Sequence, residues 1–95
     1  MYRVEIISNK SVETDILEAL EEFVPNILYT QIPLAYGRGE DSRKMGTTTW
    51  PETNFVLISY INADQLPGVK AVVEAIKKKF PSEGIKMFVI ESSEN

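Results

Sequence analysis

Between two runs of strand-like apolar residues the chain inserts one long polar segment, Ala35 to Thr53, punctuated by Gly37, Gly39 and Gly46. Compact domains join their elements with about four to six residues, so a structureless insertion of this length is either functional or disordered. We read it as the working part of the molecule. Everything else in a chain of only 95 residues must then build the scaffold that carries it.

That scaffold is a soluble globular domain by composition, 43% hydrophobic and 25% charged, and residues 1–95 read as one domain without an internal repeat. Chains this short bury a modest core and are commonly helped by disulfides, metals or self-association. Cysteine and histidine are both absent. A disulfide is therefore excluded, and zinc or copper would find only carboxylates and the thioethers of Met1, Met45 and Met87. No apolar run is long enough for a bilayer, and the opening Met-Tyr-Arg-Val-Glu-Ile lacks the apolar region of a signal peptide, so a cytoplasmic location is expected. The net charge of -4 argues against a broad phosphate-binding surface and against nucleic acid as a partner, despite local patches at Arg43-Lys44 and Lys77 to Lys79.

Residues Tyr2 to Ser8 alternate as a strand, with Tyr2, Val4 and Ile6 on one face and Arg3, Glu5 and Ile7 on the other. Ser11 is placed to cap a helix whose apolar stripe is Val12, Ile16, Leu20 and Phe23, with Glu13 and Asp15 at its positive end and Pro25 beyond its last turn. Ile27 to Leu34 reads as a second strand, where Pro33 suits an edge or a strand end. After the long segment, Asn54 to Ile61 is a third strand. Leu66, Val69, Val73, Ile76 and Phe80 then make a second helical stripe that ends in Lys77 to Lys79. Pro81 and Gly84 turn the chain into a last strand, Ile85 to Glu91.

The order βαββαβ favours an α+β ferredoxin-like sandwich, a four-stranded antiparallel sheet with both helices on one face. Apolar residues occupy nearly every position of the third strand, and Met87-Phe88-Val89-Ile90 fills the last, so both faces of the sheet carry hydrophobic side chains. Two helices cover one face only. Exposing the other would exceed the apolar patch usual for a monomer, which points to a second subunit; the alternative is a face that stays half exposed.

The helix segment Glu18-Ala19-Leu20, followed by a strand and then by Ala35-Tyr36-Gly37-Arg38 at the root of a long loop, resembles the nitrogen-regulatory PII signal-transduction family. The resemblance runs without a gap through the first 38 residues, and the later elements follow in the family's order. It implies a non-enzymatic homotrimer that senses a small-molecule effector, an adenine nucleotide in the family, in clefts between subunits. The family's T-loop, which corresponds to 35–53 here, then signals to a protein target such as a membrane transporter or an enzyme. Carried over residue by residue, the ligand-binding positions are Gly37, Arg38, Gly39 and Lys86, and Arg43, Lys44 and Trp50 are candidates for contact with a partner.

Departures from the family are specific. Gly39 stands where the family has Gln, no tyrosine lies between Gly37 and Thr53, the glycine-rich turn before the last strand shrinks to Phe80-Pro-Ser-Glu-Gly-Ile-Lys-Met-Phe88, and no C-terminal arginine follows. Triphosphates are normally cradled by several backbone N–H groups and cationic side chains, so weak or absent ATP binding is expected. Taken alone, Arg38 also reads as a solvated loop charge and Lys86 as an outward strand residue. The three loop glycines read as hinges or as plain turn formers, Trp50 as a binding hot spot or as local packing, and Thr47 to Thr49 as a polar turn.

Competing functions fit less well. An acylphosphatase-like enzyme shares the element order, but Ile7-Ser8-Asn9-Lys10-Ser11 lacks its phosphate cradle and no His or Cys can act as acid, base or nucleophile. An RNA-binding module needs exposed aromatics in a basic setting, which Phe55 and Phe88 lack. A ligand-free trimeric adaptor differs from a sensor only in having no effector.

Overall fold

A computed structural model describes residues 1–94. Strand β1 (Tyr2–Asn9) leads through a 3-10 turn (Lys10–Val12) into α1 (Glu13–Phe23), and β2 (Thr30–Ala35) follows. The loop itself holds β3 (Gly37–Arg38) and β4 (Arg43–Lys44); beyond it come β5 (Asn54–Ile61), α2 (Leu66–Lys79) and β6 (Ile85–Glu91). The main sheet has the order β2-β5-β1-β6 and its neighbours are all antiparallel, which is the ferredoxin-like arrangement expected from the chain.

The helices share a core with one face of this sheet. Val4 and Ile6 from β1, Phe55, Leu57 and Ile61 from β5, Ile16 and Leu20 from α1, and Val69, Val73 and Ile76 from α2 are buried together. Two polar groups in this layer are satisfied locally: Ser59 Oγ donates to the Leu28 carbonyl at 2.6 Å, and Ser8 Oγ to the Asn9 carbonyl at 3.2 Å. Such bonds remove the cost of burying an unpaired hydroxyl. Among the described residues, no helix is long and apolar enough to cross a membrane.

Four local expectations are corrected. Ser11 does not cap α1; its N–H donates to Asn9 Oδ1 at 3.0 Å, so Asn9 caps the 3-10 turn and α1 starts after Val12 without a side-chain cap. Phe23, placed in the buried stripe, is 66% exposed, because it is the last residue of α1 and borders a groove against α2 that stays open, while Val72, outside the expected stripe, is buried. The second strand begins at Thr30 rather than Ile27: Asn26 adopts a positive φ of 71° after the helix, and the chain needs Ile27 to Tyr29 to reach the sheet edge. Lastly, the long loop is not structureless, as its hydrogen bonds below make plain.

Pro33 behaves as anticipated. It lies on the edge strand β2, where the register slips between Ile32 and Ala35, and its carbonyl accepts from Lys10 Nζ. That slip starts the loop on a new course.

Candidate functional site

Immediately after β2 the chain forms a small hairpin. Gly37 pairs with Lys44 and Arg38 with Arg43, while the Gly39 N–H donates to the Ser42 carbonyl at 2.8 Å to close the turn over Glu40 and Asp41. The hairpin leaves the sheet at a tight point. A Cβ added at Gly37 would stand 2.9 Å from Asn54 Nδ2, so glycine lets the loop root pass the start of β5 without displacing that side chain.

A second turn shapes the far limb. Thr47 N–H donates to the Trp50 carbonyl at 2.9 Å, and Trp50 N–H donates back to Thr47 Oγ1 at 3.0 Å. Gly46 enters this turn at φ 66° and donates to the Glu52 carbonyl at 3.2 Å. The indole of Trp50 remains 40% exposed with the Arg43 guanidinium 5.9 Å from its ring centroid. The indole therefore faces the loop's own hairpin.

Between the hairpin, the start of β5 and the start of β6 lies a cavity of about 370 Å³. Gly37, Arg38 and Gly39 line it from the loop side, and Gly84 and Lys86 from the other side. Lys44, a candidate for contact with a partner, also lines this cavity. Arg38 and Lys86 thus face one space within a single subunit. Backbone geometry explains the placement: Lys86 pairs with Ile7 on the sheet face opposite the helices, and the Asn9 N–H holds the Gly84 carbonyl at 2.9 Å, which fixes the turn before β6.

An open shelf continues from this cavity, where Arg38 and Lys86 are joined by Glu40 and Asp41. Sequence reasoning passed over this acidic pair, although its place directly after Gly-Arg-Gly was the available signal. The Gly39 amide, spent on the turn, cannot also cradle a phosphate. The site therefore offers a guanidinium and two ammonium groups with an acidic rim, and the Gly39 amide is not available to a backbone nest of the kind a polyphosphate uses.

The cavity floor is tied to the loop by a short chain of polar contacts. Lys44 Nζ pairs with Glu52 Oε2 at 2.8 Å, and Glu52 Oε1 accepts from Asn9 Nδ2 at 2.9 Å. The Lys44 contact first and the Asn9 contact second lower the Glu52 carboxyl from its ordinary pKa. Lys10 N–H adds a bond to the Thr53 carbonyl at 2.9 Å, so the far limb is anchored beside the end of β1.

No known family model matches the chain, and no curated protein matches it by sequence. Solved structures do resemble it. A nitrogen regulatory PII-like protein from Thiomonas intermedia K12, bound to ADP, AMP and bicarbonate, superposes with a TM-score of 0.69 at 13% identity, over 94% of this chain and 84% of that one. A PII-like signalling protein from Thermus thermophilus gives 0.61 at 19% identity, over 94% and 83%. The de novo designed protein Foldit4 gives 0.59 at 13% identity, over 97% and 98%.

The fold is thus that of the PII-like proteins, as the resemblance in the first 38 residues implies. A designed protein shares the architecture, so the fold alone assigns no activity. That burden rests on the site.

Proposed function

We propose that the chain is a divergent PII-like regulatory protein, a non-enzymatic cytoplasmic sensor. In this reading it binds an adenine nucleotide with few phosphates at the Arg38–Lys86 cavity and signals to a protein partner through loop 35–53. The observation that carries the reading is that Arg38 and Lys86, far apart in sequence, line one cavity at the root of the loop. A ligand there touches the hairpin directly. It can bias the loop only if it binds two loop conformations unequally, and a cavity built half from the hairpin supplies contacts that would change if the hairpin moved.

Charge supports a mono- or diphosphate over a triphosphate. Arg38 can make a bidentate contact and Lys86 a point contact, while Glu40 and Asp41 repel additional negative charge at the open side. The Thiomonas protein bound to ADP, AMP and bicarbonate shows that a structure of this fold accommodates such ligands. In our reading the cavity is completed by a neighbouring subunit. Ile7, Val56, Ile58, Tyr60, Phe88 and Ile90 share the sheet face that no helix covers, and a homotrimer would bury it.

A thermal-shift comparison of AMP, ADP, ATP and bicarbonate tests the proposal. A ligand at a hundred times its dissociation constant stabilises the folded state by about 2.7 kcal/mol. ADP and AMP are expected to raise the melting temperature, and ATP with magnesium to do so less. No response to any adenine nucleotide would favour the ligand-free adaptor.

A further inference from the structure

Lys44 occupies an ambiguous position. Its side chain is only 14% exposed and lines the same cavity as Arg38 and Lys86, yet its ammonium is already bound to Glu52, on the opposite limb of the loop. Glu52 is 56% exposed, so this ion pair is open to water on one side and is weak. A phosphate entering the cavity would meet Lys44 as a third cation and would compete with Glu52 for it. The two bonds use the same ammonium, and a better acceptor in a more enclosed setting wins.

We propose that Lys44 is a ligand-recruited latch: an anionic ligand in the cavity draws its ammonium away from Glu52 and so uncouples the far limb of the loop, Gly46 to Thr53, from the hairpin. The proposal rests on the cavity being a nucleotide site. It adds the residue that converts occupancy into a loop state. In the latched form, Lys44–Glu52 bridges the two limbs and closes the turn that carries Trp50 over Arg43. In the released form, Glu52 keeps Asn9 as its partner, and the Trp50 turn loses its charged tie to the hairpin. The free energy that separates the forms is that of one weak ion pair, a size that a single phosphate contact can overcome. Coupling between two such sites is reciprocal, so a change that frees the Lys44 ammonium from Glu52 while keeping it in place must strengthen ligand binding by the same factor.

Trp50 is the only tryptophan and reports on the far limb. The experiment uses ADP as the probe, with calorimetry for affinity and Trp50 emission for the loop, on the wild type, E52Q and K44M. Glu52→Gln keeps an oxygen for Asn9 and removes the charge that holds Lys44; because Glu52 is mostly exposed, the fold is unaffected. E52Q is expected to bind ADP several-fold more tightly, and without ligand to show the Trp50 emission of ADP-saturated wild type. K44M should bind ADP about tenfold more weakly, the loss of one charge-assisted contact, and its Trp50 emission should no longer respond to ADP. ADP binding of equal affinity in wild type and E52Q, or a Trp50 signal unmoved by saturating ADP in the wild type, overturns the latch and leaves the nucleotide site standing. Absence of ADP binding in both proteins overturns the nucleotide reading and the latch with it.

Discussion

Arg3 and Glu5, two residues apart on β1, pair with each other in the middle of the sheet face that the helices leave open. Glu5 first and Tyr60 second hold the Arg3 guanidinium above its ordinary pKa. Around this pair the register places Ile7, Val56, Ile58, Phe88 and Ile90. A face of this kind suits burial against copies of itself, with the ion pair restricting which registers can dock. Size exclusion with light scattering should give three chain masses at micromolar concentration, and Phe88→Asp should give one. A monomeric wild type would contradict the burial argument, and a dimer would contradict the trimer.

Gly46 is the loop's conformational fixed point. At φ 66°, with a Cβ position 3.2 Å from the Tyr36 ring and from the Thr53 methyl, it resists any side chain. Gly46→Ala is expected to cost the loop about 1 to 2 kcal/mol, the left-handed penalty for a residue with a Cβ. Hydrogen exchange should show the Thr47 and Trp50 amides opening faster while the amides of β1 and β5 are unchanged. Unaltered exchange at Thr47 would mean that its bond to Trp50 does not depend on Gly46.

Much of this architecture was legible in the chain, and the reasons are local. Asn54–Ile61 and Ile85–Glu91 came out with their observed bounds because near-continuous apolar runs bracketed by turn residues leave little choice. The placement of Arg38 and Lys86 at one cavity followed from a motif resemblance, since nothing in the spacing of two cations 48 positions apart announces proximity. The hairpin was missed because its strands are two residues each and polar, too short for any periodic signal. Phe23 was misplaced because a stripe counted at i, i+3 and i+4 cannot say where the partner helix ends. The contacts that join Lys44, Glu52 and Asn9 were out of reach, as they depend on the tertiary return of the loop to the end of β1.

Acid should act on the loop through Glu52. Its folded pKa lies below its unfolded value, so the bridge contributes fully above the unfolded pKa and is lost as pH falls through the folded one. Trp50 emission is expected to stay constant from neutral pH down to about pH 5 and to change below the ordinary glutamate pKa of about 4.3. In Glu52→Gln that acid transition should disappear. Its persistence there would assign the titration to another carboxylate.

Proteolysis distinguishes the exposed cations of the hairpin from the paired one. The loop tip is exposed, and tips are where nicking starts, so trypsin is expected to cut first after Arg38 or Arg43. Lys44, largely buried and paired with Glu52, should be spared until the latch opens. Fragment masses give the order. Initial cleavage within Lys77 to Lys79 would instead place the weakest point of the molecule at the end of α2.

The central claim is that Arg38 and Lys86 jointly bind an anionic nucleotide, and calorimetric titration of ADP into the wild type, Arg38→Ala and Lys86→Ala measures it most directly. Charge-assisted contacts are worth about 1.5 to 3 kcal/mol, so each substitution should weaken ADP by roughly tenfold or more while leaving the oligomer intact. ATP with magnesium should bind the wild type more weakly than ADP, because Glu40 and Asp41 border the open side and the Gly39 amide is committed to the Ser42 carbonyl. Undiminished ADP affinity in both variants, or magnesium-dependent ATP binding tighter than that of ADP, would contradict the account.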